Sequence, residues 1–386
     1  MKVAFDVAQT CSPKAGCGWF ADRLARALAD VAPEDSFILL HHFGTWLNPR
    51  TRSGTHLNRP NVSEPLAAYS VRTARRLWTE VAAGRATLPG APDVVHANCF
   101  QAPMAGGARL VYTVHDVSFW MHPEFTTEAN RLACQQGMLD AVQRARGLVF
   151  ISEHTRQEFE RLFPGLAERR NLCTTVALLA SRFPTVSGQI PRPPDGKWLA
   201  VGSLEPRKNY DALLDAMDLY WQTSTVRRPL TIVGGRGWNS DGLRARIRKL
   251  AKAGLVRHEG YVAESRLVRL YRESFALLFA SHYEGFGLPL VEAMSQGCPV
   301  ISARNSSLPE VGGDAVLWCE PANATQLARQ MLALENSPEL QAACSADGLT
   351  QARRFDWAKT ARQVLDLYRQ VGRTAGGLPS ARSQPA

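Results

Sequence analysis

Short apolar runs separated by amphipathic stretches recur from the first residues of the chain. Lys2 to Val7 reads as a buried strand, followed by the loop QTCSPKAGCGW. Phe20, Leu24, Ala27, Leu28 and Val31 then recur at helical spacing. Ser36 to His41 predicts a second strand, and the polar, weakly periodic segment from Phe43 to Pro65 a long surface loop. A helix is expected from Leu66 to Ala83, with Arg72, Arg75 and Arg76 beside Leu77, Trp78 and Val81. Strands at Asp93 to Ala97, Arg109 to Val114 and Gly147 to Ile151 frame a helix near Thr127 to Arg146, and Ser152 is placed to cap a helix through Phe163.

The stretch FPTVSGQIPRPPDGK, from Phe183 to Lys197, is rich in Pro and Gly, has no period, and reads as a linker. Beyond it the alternation restarts. WLAVGS and PLTIVGG are strands, Asn209 begins a helix, and a basic helix carries Arg244, Arg246, Arg248 and Lys249. Strands alternating with helices predict an α/β fold of two doubly wound parallel sheets, without any repeat at the residue level. Asp356 can cap an amphipathic terminal helix, DWAKTARQVLDLYRQV, and the closing GRTAGGLPSARSQPA reads as disordered. The expected division is a first domain over 1–183, a linker over 184–197, a second domain over 198–355, a terminal helix over 356–371 and a tail over 372–386.

With 386 residues the chain has room for two cores. Its formal charge of +10 suits polyanionic ligands or an anionic membrane surface, and by itself leaves nucleic acid open. The basic helix with Trp78 either lies on anionic lipid or is a solvated basic face with Trp78 in the core. No apolar run approaches the roughly 18 residues of a membrane span, and no signal-peptide pattern opens the sequence. A cytoplasmic location is expected, with attachment to the inner face of the plasma membrane allowed. The eight cysteines form no CxxC pair, so neither a zinc ribbon nor a redox dithiol is supported.

Chemistry concentrates in FASHYEGFGLPLVEAMSQGCPVIS, from Phe279 to Ser302, which reads as strand, turn, helix, strand. Pro289 suits a first helical turn, and Gly297 with Pro299 ends the helix. Glu284 and Glu292 bracket the turn, so both carboxylates can approach one ligand. Gly285 and Gly287 let the backbone come close, and the free N–H groups of a helix start attract an anion. A carboxylate accepts two hydrogen bonds from a vicinal diol, while the N–H groups suit a diphosphate. Together they describe a nucleotide-sugar. Taken singly, the two are a loop acid and a surface helix acid.

Other strand ends carry polar groups, and ligands gather at the carboxyl ends of such sheets. His115 and Asp116 stand in YTVHDVSFW, where His122 could complete a metal site, although no third-ligand spacing favours zinc. Arg207 and Lys208 stand in EPRKN after the first strand of the second half. Arg forms paired hydrogen bonds to phosphate and Lys adds a compact charge, but an isolated Arg-Lys is usually a solvated turn.

The acidic run from Glu284 to Glu292, taken with EPRKN, resembles the signature of retaining GT-B glycosyltransferases, in particular glycosyltransferase family 4. The resemblance covers nearly the whole chain and is strongest from Gly202 to Val316. It implies two Rossmann-like domains facing a cleft, the first for acceptor and the second for a nucleotide-sugar, with the terminal helix crossing back. Arg207 and Lys208 then clamp the diphosphate, with Phe286 to Leu288 offering N–H groups, while Glu292 holds the ribose and Glu284 and His115 fix the sugar. Gly16 in the first loop faces the donor, and Tyr261 and Val262 in EGYVAESRL pass the nucleobase. Where many members have an arginine after the glycine matching Gly202, this chain has Ser203, so that charge is expected from Arg207.

VGSLEPRKN looks most like bacterial mannosyl- and deoxymannosyl-transferases of surface polysaccharide and O-antigen synthesis. The implied donor is GDP-mannose or a GDP-deoxyhexose, with UDP- and dTDP-sugars as alternatives. The implied acceptor is a lipid-linked saccharide, and the Phe43 to Pro65 segment can contact it. Neither a metal nor a cofactor is expected, the nucleotide-sugar being a co-substrate, and no nucleic acid is implied. Retention without an evident protein nucleophile implies attack on the face that the leaving group vacates. A related phosphorylase would need a lysine carrying pyridoxal phosphate, which nothing singles out. A nucleotide-sugar epimerase would release free sugar without acceptor, and a non-catalytic binding protein would bind without turnover.

Overall fold

The computed structural model describes residues 1–48, 50, 54–188 and 191–373. The first half builds a seven-stranded sheet from β1 (Lys2–Asp6), β2 (Ser36–Leu40), β5 (Val62–Ser63), β6 (Val94–Ala97), β7 (Arg109–Val114), β8 (Ala145–Phe150) and β9 (Cys173–Val176). A small antiparallel hairpin, β3 (His42–Phe43) and β4 (Trp46–Leu47), follows β2 directly. The second half builds a six-stranded sheet from β10 (Trp198–Val201), β11 (Leu230–Val233), β12 (Val256–Gly260), β13 (Ala276–Phe279), β14 (Val300–Ala303) and β15 (Leu317–Cys319).

Every pairing within the two large sheets is parallel. The orders are β5-β2-β1-β6-β7-β8-β9 and β12-β11-β10-β13-β14-β15. Each reverses direction once, between β1 and β6 and between β10 and β13. Parallel strands need helical crossovers that cover both faces, which explains why their inner residues are almost uniformly apolar and buried.

The expected helix after the first loop spans Gly16–Val31 and buries Phe20, Leu24 and Leu28. Trp357–Arg373 buries Ala361, Val364, Leu365, Leu367, Tyr368 and Val371, and it packs against both Gly16–Val31 and β9 of the first half. Its Trp357 Nε1–H donates to the Ser181 carbonyl at 3.0 Å, and Tyr368 Oη meets His96 Nδ1 at 2.5 Å. One apolar cluster therefore runs through both halves, from Val3 and Phe20 to Leu199, Leu277, Leu290 and Val364. Each large side chain closed off there contributes roughly 1.5–3 kcal/mol.

Several local expectations change. The Phe43 to Pro65 segment is not all loop, since it holds most of the hairpin and the edge strand β5. The following helix begins at Val71, capped by Ser70, because Leu66 is fully buried before it starts. Trp78 is buried with Nε1–H donating to the His42 carbonyl at 3.0 Å, so the basic helix presents no exposed aromatic to a membrane. The terminal helix reaches Arg373, taking in the first two residues expected in the tail. Of the expected linker, residues 189–190 lie outside the described residues, as do 374–386 of the expected tail. No described helix is long and apolar enough to cross a membrane.

Candidate functional site

The second sheet reverses between β10 and β13, and the loops leaving those strands carry the charged residues singled out above. After β10 the chain makes a tight turn over Pro206–Lys208 and passes Asn209 at φ 53°. Asn209 Nδ2–H donates to the Ala280 carbonyl of the neighbouring loop at 3.1 Å, tying the two loops together. The Lys208 stem lies over Gly202. Its ammonium donates to Glu284 Oε1 at 2.6 Å, and Arg207 Nη1–H donates to Glu284 Oε2 at 2.9 Å.

Glu284 is 6% exposed. Burial alone would raise its pKa, but the charges of Arg207 and Lys208 outweigh this and hold the carboxyl at about 2. Its main chain is held as firmly, with Ser306 Oγ accepting from its N–H at 3.0 Å and Ser307 Oγ–H donating to its carbonyl at 2.8 Å.

Arg207, expected in the phosphate clamp, is engaged by protein acceptors on three sides. Its guanidinium donates to Glu205 at 2.9 and 3.1 Å, to the Tyr283 carbonyl at 3.1 Å and to Glu284. Two carboxylates share the Arg207 guanidinium, so Arg207 holds Glu284 in place. Lys208 keeps two ammonium protons beyond its bond to Glu284. Ser203 itself stands half-buried on the same loop.

The turn after Glu284 needs its glycines for different reasons. A Cβ on Gly285 would stand 2.1 Å from the His115 carbonyl oxygen of the first half, and Ser152 Oγ–H donates to the Gly285 carbonyl at 2.6 Å. Gly287 sits at φ 101° as the cap of helix Leu288–Ser295, where a Cβ would meet Leu308 Cδ2 at 2.6 Å. Phe286 is buried and packs edge-on against Phe355, while Leu288 is half-buried. Among the described residues no protein acceptor meets the main-chain N–H of Phe286, Gly287 or Leu288. Free N–H groups at a helix start are of the kind that attract an anion.

His115 ends β7. Its Nε2–H donates to the Asn98 carbonyl at 2.7 Å, which leaves Nδ1 as an acceptor. Burial lowers its pKa, opposed by that hydrogen bond and by Asp116, so the ring stays neutral near pH 7.

Glu292 does not join this set. It is fully buried, with Arg182 donating to both of its oxygens and Tyr271 Oη–H donating to Oε2 at 3.0 Å. The Arg182 guanidinium also stacks 4.3 Å above the Trp19 ring of the first half. The two glutamates expected to approach one ligand thus answer to different cations.

Around the first loop, Gly16 is exposed with open space beside it, whereas a Cβ on Gly18 would strike the Gln9 carbonyl oxygen at 2.5 Å. Tyr261 is 45% exposed and its Oη accepts from Lys14 N–H across the halves at 3.2 Å, while Val262 is partly buried against the shared core. Sequence reasoning missed Arg182, Trp19, Glu205 and Gly18. Only Gly18 carried a signal, as the second glycine of a loop already noted.

Two other clusters fail as ligand sites. His41, His56 and Glu64 bring ligand atoms within 4.8 Å of one another. Yet the two imidazoles stack within 21° of parallel, so their in-plane lone pairs run alongside instead of converging at the ~2.0–2.1 Å that a zinc–nitrogen bond needs. His56 Nδ1 instead meets Glu64 at 2.5 Å and His41 Nε2–H donates to the Thr55 carbonyl at 3.0 Å, bracing the loop. A depression lined by Lys197, Arg257, Glu259, Arg266 and Glu273 lies at the opposite, amino edge of the second sheet, and its arginines are paired with its glutamates.

Residues 189–351 match the family model described as glycosyl transferases group 1. The second half is a glycosyl transferases group 1 domain. The chain is 29% identical over 397 aligned residues to the O-antigen chain mannosyltransferase B of Escherichia coli, covering 96% of this chain and 100% of that one. It is 30% identical over 184 residues to the serotype-specific mannosyltransferase WbdA of Escherichia coli, covering 47% of this chain but 22% of WbdA. In structure it resembles sucrose-phosphate synthase from Thermosynechococcus elongatus, with a TM-score of 0.70 at 20% identity over 96% of this chain and 99% of that one. It also resembles HepE from Anabaena, solved with UDP and glucose, with a TM-score of 0.64 at 20% identity over 95% and 98% of the two chains. These likenesses give the chain the GT-B fold.

Proposed function

We propose that this glycosyltransferase moves a hexose, mannose or a deoxymannose, from a GDP-linked donor to a lipid-linked saccharide, with retention at the anomeric carbon, in O-antigen or other surface polysaccharide synthesis. The observation that carries the proposal is the pairing of Lys208 with Glu284 beside the N–H nest of Phe286 to Leu288, at the reversal point of the second sheet. Departure of a nucleoside diphosphate loads negative charge on its leaving oxygens. Preset cations and dipoles that meet this charge lower the barrier. Lys208 has protons to offer, and the helix start adds a positive dipole end. Side chains and N–H groups fill that role on this reading, so the reaction calls for neither divalent ion nor cofactor.

Glu284, fixed and ionised, would accept from sugar hydroxyls, and His115 Nδ1 from another. Glu292 would take the ribose only once Arg182 moved aside. Choice of mannose rests on the likeness to the two mannosyltransferases. The charge of +10 suits an anionic inner membrane surface, where a lipid-linked acceptor is held.

The test is GDP release from GDP-mannose and from GDP-deoxyhexoses in the presence of membrane-extracted glycolipid, with NMR assignment of the new linkage. Thermal shifts with GDP, UDP, dTDP and ADP rank the nucleotides. Stabilisation by GDP and an α-linkage formed from an α-linked donor are expected. Preference for UDP or dTDP would overturn the donor, and inversion would overturn the stereochemistry.

A further inference from the structure

Two thiols meet where the first sheet reverses, between the loops that follow β1 and β6, and neither has a part in the chemistry proposed above. Cys17 lies in the first turn of helix Gly16–Val31 and is half-buried, while Cys99 follows β6 and is 4% exposed. Both S–H groups donate to one acceptor, Gln9 Oε1 in the loop after β1, Cys17 at 3.3 Å and Cys99 at 2.8 Å. Of the eight cysteines, these are the only two that share a partner among the described residues. The Cys99 thiol, within hydrogen-bonding reach of the Cys17 sulfur, lowers the Cys17 pKa, and burial raises that of Cys99. A thiolate is the nucleophilic form, so the more accessible Cys17 is the sulfur an oxidant reaches first and Cys99 the one placed to resolve it.

The loop that ends at Cys17 carries contacts to the second half. Lys14 N–H donates to Tyr261 Oη at 3.2 Å across the seam, and the Lys14 ammonium meets Asp22 at 3.1 Å and sits 4.6 Å above the Trp19 ring. Trp19, two residues after Cys17, also bears the Arg182 guanidinium that holds Glu292. A Cβ on Gly18 would stand 2.5 Å from the Gln9 carbonyl oxygen, so the helix start is already packed on the Gln9 main chain. A sulfur–sulfur bond of ~2.05 Å in place of the two hydrogen bonds to Gln9 Oε1 would tie the end of β6 to the first helical turn. Gln9, Lys14 and Trp19 would then shift together, and with them the seam.

We propose that Cys17 and Cys99 are a redox modification site, forming under hydroperoxide a reversible disulfide that fixes the first loop against the end of β6 and slows transfer. The Cys17 thiolate attacks the hydroperoxide O–O bond and becomes a sulfenic acid, and the other oxygen leaves, protonated, as water or an alcohol. The Cys99 sulfur then attacks the sulfenic sulfur, and the displaced hydroxide leaves as water with the Cys99 proton. Two electrons pass from the thiol pair to the peroxide, and a dithiol reductant returns them. The effect on transfer rests on the activity proposed above, and the bridge itself does not.

The test is treatment of the full chain with hydrogen peroxide, then digestion without reductant, peptide mass spectrometry and free-thiol titration. A linked Cys17–Cys99 peptide and the loss of two of the eight thiols are expected, both reversed by dithiothreitol. Recovery of the two sites as free thiols or sulfonic acids would overturn the proposal, as would a link from Cys17 to Cys11 instead. Turnover of GDP-mannose should fall roughly tenfold or more in the bridged protein, as it does for misplacements of about 1 Å at a reacting site. It should return with dithiothreitol, and it should hold in peroxide-treated Cys17→Ser and Cys99→Ser. Full turnover in protein shown to be bridged, or an equal peroxide loss in Cys99→Ser, would overturn the control of transfer. Because peptide mapping needs no turnover, failure to use GDP-mannose bears on the activity and leaves the bridge to be decided by its mass.

Discussion

Arg182 and Glu292 form a doubly hydrogen-bonded ion pair in which the carboxylate is wholly closed to solvent and the guanidinium nearly so. The pair joins the chain segment after β9 to helix Leu288–Ser295, while the guanidinium stacks on Trp19 of the first helix. Three parts of the molecule meet at one charge pair.

Breaking such a pair from one side leaves an unpaired buried charge, so Arg182→Met or Glu292→Met should each cost ~3–5 kcal/mol. Replacing both should cost less than either alone. Urea unfolding of the two single variants and the double variant measures the coupling, and strictly additive losses would mean that the two residues do not depend on each other.

Lys208 and Arg207 are adjacent in sequence but should fail differently. Lys208→Ala should lose more than tenfold in turnover, since about 1.4 kcal/mol of transition-state stabilisation suffices for that factor, and should keep its Tm within a few degrees. Arg207→Ala strips the shared cation from Glu205 and Glu284 and should lower Tm as well as kcat. Comparing kcat with Tm for the two variants separates charge on the leaving group from support of Glu284.

Acid should expose Glu284. Its folded pKa of about 2 lies below its ordinary 4.5, so its ionised form stabilises the fold above pH 4.5. That contribution disappears as pH falls from 4.5 toward 2, because the unfolded chain binds the proton first. The urea midpoint should therefore drop across this window, and Glu284→Gln should flatten the drop. An equally steep profile in the variant would assign the acid sensitivity to other carboxylates.

Gly285→Ala would drive a methyl group into the His115 carbonyl oxygen, which is backbone and cannot swing aside. The variant should lose ~1–3 kcal/mol to overpacking, and the seam between the halves should open. Raised amide exchange at both 284–288 and 115–118 is the expected signature, with exchange confined to the turn as the contrary result.

The fold was readable because each strand is a short buried run and each helix a repeated stripe, and both are local properties. Boundaries slipped where burial came from distant partners. Leu66 reads as helical because it is apolar, yet it is buried ahead of a helix that starts only at Val71. Trp78 could have faced lipid or core, and only its bond to the His42 carbonyl decides. Lys208, Glu284 and the 285–288 turn stood out because a glycine-rich strand-to-helix turn bracketed by charge has few local explanations.

By itself the sequence determined the two α/β halves, the turn between Phe279 and the Leu288–Ser295 helix, and the identity of the acids and bases near it, since these depend on periodicity and on neighbours a few residues apart. Only the tertiary structure decided how those charges pair. It assigned Arg207 to Glu205 and Glu284, gave Glu292 to Arg182, and set Gly285 against His115. Partners 77, 110 and 170 positions apart leave no periodic trace in the sequence, because strand pairing within the second sheet brings the first pair together and the docking of the two halves the other two, not the conformation of any one segment.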